Sequence, residues 1–199
     1  MQSSSLNIPN LLSLFRIVLI PVFIAIFYLP IPGNHIICAT IFAVAAFTDW
    51  LDGYLARKLN QMSRFGAFID PVADKLIVAI ALILLVAQEP VFWFTIPALI
   101  IVSREIVVSA LREWMSELGK GTDLAVVKVA KYKTAAQMFA IFLLLLANPE
   151  SVSTFQQVTM TLGYILLYVA AILTLWSMVI YLKLAWKYLW NVDTAGRDR

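Results

Sequence analysis

Residues 49–74 read DWLDGYLARKLNQMSRFGAFIDPVAD, and apolar runs flank them on both sides: IFAVAAFT precedes them and KLIVAIALILLVA follows. Four of the seven aspartates of the chain fall within this stretch. Carboxylates of like charge repel one another, and each is costly to bury without a partner. The stretch therefore predicts an acidic site that is enclosed by apolar segments and held together by something cationic.

The composition of the chain indicates a membrane protein. Of its 199 residues, 62% are hydrophobic and 14% are charged, whereas soluble domains carry about 25% charged residues. The net charge of +3 is too small and too dispersed to indicate a nucleic-acid partner. Cys38 is the single cysteine, which excludes an intrachain disulfide and gives no sign of a redox or zinc site.

The chain is predicted to form one membrane domain over residues 1–199. Neither an internal repeat nor a linker-like change of composition marks a second domain. The N-terminal residues MQSSSLNIPN lack the basic segment of a secretory signal, so no cleaved signal peptide is expected. Residues 191–199, NVDTAGRDR, are predicted to form a polar tail.

Six apolar runs are long enough, or nearly so, to cross about 30 Å of hydrocarbon. They cover residues 11–30, 36–57, 71–88, 91–116, 128–147 and 156–182. Backbone groups in lipid must pair within the chain, so these runs are predicted to be helices. The predicted fold class is therefore an all-α integral membrane protein with six transmembrane helices.

Basic residues orient the six predicted spans. The breaks at 30–35, 88–90 and 148–153 contain no Lys or Arg, whereas those at 58–66 and 117–133 are basic, as is the C-terminal segment. Because cytoplasmic loops carry the excess of Lys and Arg, both termini are predicted to lie in the cytoplasm. The basic residues of these segments are Lys58, Arg64, Lys120, Lys128, Lys131, Lys133, Lys183, Lys187, Arg197 and Arg199.

Helical geometry gathers the acidic residues of the opening stretch. At about 100° per residue, one stripe at the cytoplasmic end of the second helix carries Asp49, Asp52, Gly53 and Ala56. Asp70 and Asp74 are four residues apart, so they stack one turn apart at the start of the third helix. Because the loop between the two helices is short, the four carboxylates are predicted to converge.

The chemistry of these residues predicts a metal site. Oxygen ligands without His or Cys favour Mg²⁺ or Mn²⁺ over zinc or copper. Four aspartates exceed what one ion needs, so two ions are predicted, and two-metal sites serve phosphoryl chemistry. The small residues Gly53 and Ala56 leave room for a bulky ligand, and Arg57 has the shape to bind phosphate oxygens.

A structural interpretation of the same residues stays open. Asp70 precedes Pro71, which is typical of a helix N-cap followed by proline at the first helical position. Asp74 would then complement the helix dipole, and the other two aspartates would pair with Arg57 or Lys58 at the membrane interface. The gathering of four aspartates on two adjoining helices favours the functional interpretation.

Eight positions of the stretch fit one spaced motif, D-x2-D-G-x2-A-R-x8-G-x3-D-x3-D. They are Asp49, Asp52, Gly53, Ala56, Arg57, Gly66, Asp70 and Asp74. The motif resembles the signature of the CDP-alcohol phosphatidyltransferase family, membrane enzymes of phospholipid synthesis. The likeness extends over nearly the whole chain, and NIPNLLSLFRIVLIP, VSREIVVSALREW and KYKTAAQM are similar to segments of the bacterial phosphatidylglycerophosphate synthase branch.

The resemblance implies roles for the site residues. The ligands of two divalent cations, Mg²⁺ or Mn²⁺, would be Asp49, Asp52, Asp70 and Asp74. Asp74 would also be the general base, and CDP-diacylglycerol would bind with its pyrophosphate on the two ions. The residues that would contact this activated lipid are Asn10, Ser13, Gly53, Ala56, Arg57, Ser63 and Gly66.

The resemblance also implies a reaction and a setting. The phosphatidyl group of CDP-diacylglycerol would pass to sn-glycerol 3-phosphate, which gives phosphatidylglycerophosphate and CMP. The enzyme would be a homodimer among the lipids of the bacterial inner membrane, with its active site facing the cytoplasm and with no nucleic-acid partner.

A second cluster of charge predicts the acceptor. Arg104 follows a long run without a charge, and Arg112 lies about 80° around the same helix. With Lys131 and Lys133 at the start of the fifth helix, these arginines suit a second phosphate, which glycerol 3-phosphate carries. Glu105 is expected to pair with Arg112 or Lys131.

Several alternatives stay open. The positive-inside tendency by itself places cations at these helix ends, and Arg16, inside the first apolar run, is open to both interpretations. Inositol phosphate, serine and phosphatidylglycerol are alternative acceptors. A divalent-cation transporter is the alternative from another class of protein, although its site is expected near the membrane midplane and in a repeated half.

Overall fold

The computed structural model of the chain describes residues 8–59, 64–117, 128–148 and 153–195. Within these ranges the backbone forms six α-helices and no β-strand. The helices are α1 (Ile8–Tyr28), α2 (Asn34–Leu59), α3 (Arg64–Gln88), α4 (Phe92–Glu117), α5 (Lys128–Leu146) and α6 (Thr154–Ala195). Each predicted span corresponds to one helix, so the prediction of an all-α fold with six helices is confirmed.

Four of the helices are long and apolar enough to cross a membrane. Their apolar segments are Leu11–Tyr28, Asn34–Asp52, Phe92–Glu117 and Thr154–Lys183, and α5 contains a shorter one, Lys133–Leu146. Large apolar side chains stand exposed on these helices, among them Trp93 at 71% and Ile106 at 66%. Such a surface suits lipid rather than water, and the chain is a multi-pass membrane protein. Six spans with both termini in the cytoplasm remain a prediction.

The start of α3 differs from the predicted span. The helix begins at Arg64 and carries Pro71 in its interior, so the interpretation of Asp70 as an N-cap is wrong. Proline lacks the N–H that would bond to an earlier carbonyl, a loss that membrane helices tolerate when neighbouring groups satisfy the freed oxygen. Asp70 and Asp74 therefore both lie inside one helix, one turn apart.

The last helix is longer than the span predicted for it. α6 runs for 42 residues, Thr154–Ala195, which is roughly 63 Å at 1.5 Å per residue. This length is about twice the thickness of the hydrocarbon core. The helix ends within residues 191–199, so the first part of the predicted polar tail is helical.

The chain divides into two compact units, of which the first contains Met1–Pro90 and Met138–Tyr164. In this unit α1 packs against both α2 and α3. The buried face of α1 follows helical spacing and consists of Ser13, Arg16, Ile20 and Phe23. The first two of these residues are polar, and they determine where the acidic side chains of α2 and α3 meet α1.

The second unit contains Val91–Gln137 and Ile165–Arg199. Its core includes Val108 and Met115 of α4 and Tyr181 of α6, each 3% exposed or less. Leu111, Trp114 and Met178 pack against that core. Tyr181 thus brings a phenol group into an otherwise apolar contact between two helices, and it needs a hydrogen-bond partner there.

Candidate active site

Arg16 lies at the polar end of the buried face of α1. Its neighbours in sequence are apolar, and its side chain is 1% exposed. Burying a guanidinium is costly unless carboxylates or other acceptors surround it. α2 and α3 supply those carboxylates.

Three aspartates contact the Arg16 guanidinium. Nη1 donates to Oδ1 of Asp49 at 2.5 Å, and Nη2 donates to Oδ2 of Asp52. Nη2 also lies 3.7 Å from Oδ1 of Asp70. We call this group, which consists of Arg16, Asp49, Asp52 and Asp70, the carboxylate cluster.

The carboxylate cluster is closed on one side and open on another. Ser13, one turn before Arg16, is buried and donates its hydroxyl proton to Oδ1 of Asp70. Asp52 is buried as well, whereas the side chains of Asp49 and Asp70 are 41% and 38% exposed. A ligand can therefore reach the cluster at its two exposed aspartates.

The donor set of the carboxylate cluster fits divalent cations by chemistry and charge. Three carboxylates and one guanidinium leave an excess of two negative charges, and carboxylate oxygens are the ligands that Mg²⁺ and Mn²⁺ prefer. Within the described ranges, no three carboxylate, imidazole or thiol groups already have the spacing of a metal site. The Arg16 guanidinium lies among the carboxylate oxygens instead.

The remaining predicted residues of this site lie nearby in sequence. Asp74 follows Asp70 by one turn of α3 and is partly exposed, and Gly66, one turn before Asp70, is buried. The structure thus brings three of the four predicted ligands to one point, while metal binding and the base role of Asp74 stay predictions. Ser63 lies outside the described residues, as do the side-chain surroundings of Asn10, Gly53, Ala56 and Arg57.

Lys58 is not the partner of the aspartates on α2. Asp49 and Asp52 pair with Arg16, and the Lys58 ammonium lies 5.7 Å from the centroid of the Tyr54 ring. The physical reason is the packing of α1 against α2, which brings a buried cation closer than the interface lysine.

A second charged group lies within the second unit. Oε1 of Glu105 accepts hydrogen bonds from Nη1 of Arg104 at 2.8 Å and from Nζ of Lys133 at 2.7 Å. Both cations are buried, at 5% and 2% exposure. The predicted pairing of Glu105 with Arg112 is wrong, because Arg112 lies about two turns farther along α4. The surroundings of the Lys131 side chain lie outside the described residues.

Tyr181 joins the two predicted arginines. Nη2 of Arg112 donates to its hydroxyl at 2.9 Å, and the guanidinium carbons of Arg112 and Arg104 lie 5.2 and 5.8 Å from its ring centroid. These distances suit cation–π attraction. Nη2 of Arg104 also donates to Oγ of Ser177 at 3.3 Å. We call this group, which consists of Arg104, Glu105, Arg112, Lys133 and Tyr181, the cationic cluster.

Known proteins resemble the chain over almost its entire length. The sequence model described as CDP-alcohol phosphatidyltransferase matches residues 6–181, which include both clusters. The chain belongs to this family. The family resemblance of the spaced aspartate motif is therefore confirmed.

Individual relatives of this phosphatidyltransferase are also close. One from Pseudomonas fluorescens is 53% identical over 193 residues, covering 96% of this chain and 95% of the relative. One from Haemophilus influenzae is 52% identical over 179 residues, with coverages of 90% and 93%. One from Yersinia enterocolitica is 50% identical over 184 residues, with coverages of 92% and 97%. Each is named CDP-diacylglycerol–glycerol-3-phosphate 3-phosphatidyltransferase.

Arg16 and Tyr181 belong to the two clusters of this phosphatidyltransferase, although the predictions from the sequence do not include their contacts there. For Arg16 the sequence contains a usable signal, because a lone charge within a membrane helix needs a partner of opposite charge. Tyr181 gives no such signal, since aromatic residues are common at the ends of membrane helices. Its position between two guanidiniums depends on how α6 packs against α4.

Proposed function

We propose that this phosphatidyltransferase transfers the phosphatidyl group of CDP-diacylglycerol to sn-glycerol 3-phosphate, with release of CMP and formation of phosphatidylglycerophosphate. The observation that carries the proposal is the carboxylate cluster, in a chain whose relatives bear the name of that enzyme. Three acidic side chains from two helices meet where the spaced motif predicts a site for an activated phosphate.

Two divalent cations, Mg²⁺ or Mn²⁺, would be held by Asp49, Asp52, Asp70 and Asp74. The oxygen donors and the excess negative charge of the carboxylate cluster support this assignment. When bound, the ions would stabilise negative charge on the pyrophosphate and on the departing CMP.

Asp74 would act as the general base. An alcohol is a poor nucleophile until a carboxylate accepts its proton in the transition state. The acceptor oxygen forms a bond to the β-phosphorus while that phosphorus loses its bond to the bridging oxygen, which leaves with CMP and the electron pair. The choice of Asp74 among the carboxylates rests on the resemblance of the spaced motif to that of the family, and its partial exposure is compatible with the role.

The activated lipid would bind along α1, α2 and the start of α3. Ser13 supports this placement, since its hydroxyl bonds to Asp70 and lies on the buried face of α1 beside the carboxylate cluster. Small residues on α2 and α3 would let the ligand approach the backbone. The residues proposed to contact it are Asn10, Ser13, Gly53, Ala56, Arg57, Ser63 and Gly66.

The cationic cluster would bind the phosphate of the acceptor, with Lys131 as a further contact. Arg104 and Lys133 share the single carboxylate of Glu105, and Arg112 adds a third cation. This excess of positive charge suits a dianionic phosphate. Serine lacks such a group, which makes it a poorer candidate than glycerol 3-phosphate.

The proposed setting is the bacterial inner membrane, with six spans, both termini in the cytoplasm and the active site on the cytoplasmic side. The membrane-capable helices and the basic loops support this orientation. We also propose that the chain acts as one catalytic domain and as a homodimer.

The activity is tested with purified protein, CDP-diacylglycerol and radiolabelled glycerol 3-phosphate. We expect label in the lipid fraction and an equal amount of CMP, both abolished by chelator and restored by Mg²⁺ or Mn²⁺. Absence of metal-dependent CMP release from this substrate pair would refute the proposal.

Competing acceptors test the choice of alcohol. Inositol 1-phosphate, serine and phosphatidylglycerol each replace glycerol 3-phosphate, at equal concentration, in the same assay. We expect glycerol 3-phosphate to give the fastest CMP release. Faster CMP release with inositol 1-phosphate would agree with the proposed class of reaction but would contradict glycerol 3-phosphate as the acceptor.

A further inference from the structure

Arg16 is the cation at the centre of the carboxylate cluster. It contacts three predicted metal ligands from two helices and is almost completely buried. Its Nε is also buried and has no hydrogen-bond partner among the described residues. An unpaired buried donor costs free energy, so this arrangement satisfies the carboxylates better than it satisfies the arginine.

We propose that Arg16 is a positioning residue that replaces the divalent cations while they are absent. In the ion-free protein it neutralises part of the acidic charge and keeps α2 and α3 joined to α1. When ions bind, it gives up its contacts with the carboxylate oxygens. This inference rests on the proposed metal site, and it adds a residue that the aspartate motif does not contain.

The Arg16 guanidinium and the divalent cations would compete for the carboxylates for electrostatic reasons. The guanidinium contacts one oxygen each of Asp49, Asp52 and Asp70, and the proposed ions would bind to the same three carboxylates. Cations within a few ångströms of one another repel strongly where water is scarce. Arg16 would therefore lower the affinity of the site for ions, and it would reduce the repulsion among the three carboxylates while no ion is bound.

The shape of the side chain explains why an arginine stands at this position. The planar guanidinium presents several N–H groups in a fixed fork, whereas a lysine presents one compact charge. Nη1 and Nη2 contact different aspartates. Lysine at position 16 would keep the charge but would bridge fewer carboxylates.

The test measures Mn²⁺ binding and thermal unfolding of the purified full-length protein in detergent. Arg16→Gln is compared with wild type and with Lys183→Gln, which removes one exposed positive charge from the second unit. We expect Arg16→Gln to bind Mn²⁺ at least about tenfold more tightly. In chelator we expect its unfolding midpoint to fall by at least about 5 °C, and saturating Mn²⁺ should restore most of that loss.

Two results would overturn the inference. One is weaker Mn²⁺ binding by Arg16→Gln, which would show that Arg16 helps the site to bind ions. The other is a fall in the unfolding midpoint of Arg16→Gln that is equal in chelator and in Mn²⁺. That result would indicate that Arg16 stabilises the protein by packing alone. If wild type itself binds no Mn²⁺, the proposed metal site fails as well. If wild type binds Mn²⁺ and either of the two results above is found, the inference alone fails, so the two failures are distinguishable.

Further variants keep the test decisive if Arg16→Gln does not fold in chelator. In Arg16→Gln/Asp49→Asn one carboxylate is neutralised along with the arginine, so we expect folding in chelator to return. Arg16→Lys should keep Mn²⁺ affinity within about threefold of wild type, because the charge is retained. A double variant that stays unfolded, or an Arg16→Lys affinity equal to that of Arg16→Gln, contradicts the role of charge.

Discussion

The carboxylate cluster and the cationic cluster are opposite in charge balance. In the first unit one buried guanidinium faces three carboxylates. In the second unit one carboxylate serves two buried cations, and a further arginine rests on Tyr181. Both groups are built across packed helices, and the residues that define each group carry unequal numbers of positive and negative charges.

The sign of each imbalance underlies our proposal for what each region binds. Charge at partly buried positions is costly unless an opposite charge compensates it. The acidic excess of the first unit suits cations, and the basic excess of the second suits an anion. The proposed reaction, between an ion-bound pyrophosphate and a phosphorylated alcohol, would use both.

The largest expected effect is that of Asp74→Asn on turnover. Loss of a general base lowers kcat by about 10²–10⁴-fold. Since the other carboxylates remain, we expect CDP-diacylglycerol binding to be partly retained. The measurements are CMP release and equilibrium binding of CDP-diacylglycerol in the presence of Mn²⁺.

Asp52→Asn and Glu117→Gln are the matched comparisons for this prediction. Asp52 is buried against Arg16, so its change should weaken both turnover and Mn²⁺ binding, whereas Glu117 is exposed on α4 and its change should affect neither. If Asp74→Asn lost no more activity than Glu117→Gln, another group would have to be the base.

Glu105→Gln is expected to be the most destabilising change in the cationic cluster. It would leave buried Lys133 and Arg104 without their carboxylate, at a cost of about 2–4 kcal/mol of unfolding free energy. Thermal unfolding in detergent provides the measurement. Glu105→Gln/Lys133→Met should recover part of the loss, because it removes one of the two buried cations that have lost their carboxylate. A double variant as unstable as the single one would contradict this explanation.

Arg104→Ala is expected to act on the acceptor rather than on the activated lipid. Hydrogen bonds to charged groups contribute roughly 1.5–3 kcal/mol each, so the KM for glycerol 3-phosphate should rise by about 10- to 100-fold. The KM for CDP-diacylglycerol should change little. Lys183→Ala, an exposed cation on α6, is the control. An unchanged KM for glycerol 3-phosphate would indicate that the phosphate of the acceptor binds elsewhere.

Much of the fold is predictable because membrane helices are governed by length and hydrophobicity. Each of the six apolar runs corresponds to a helix, and the turn before α2 falls at the predicted break, where Gly33 has a φ of 77°. The start of α3 is not predictable in the same way. Pro71 favours a helix boundary in water, but packed helices tolerate it in the interior.

The candidate site is predictable in its acidic part and not in its partners. The spacing of Asp49 and Asp52 on one helix, and of Asp70 on the next, is enough to predict that they meet. Which cation meets them depends on the packing of α1, as the position of Arg16 demonstrates. The contact of Arg112 with Tyr181 likewise joins residues far apart in sequence.

Tyr181→Phe is the smallest expected effect and the sharpest test of how the cationic cluster is built. The change removes the hydroxyl that accepts from Arg112 but keeps the ring beneath both guanidiniums. Because Arg112 is exposed, losing this bond should raise the KM for glycerol 3-phosphate by only about two- to tenfold. Tyr181→Leu also removes the cation–π contacts, so it should raise that KM further. If the two variants gave equal KM values, the ring would not orient the arginines, and the hydroxyl alone would account for the contribution of Tyr181.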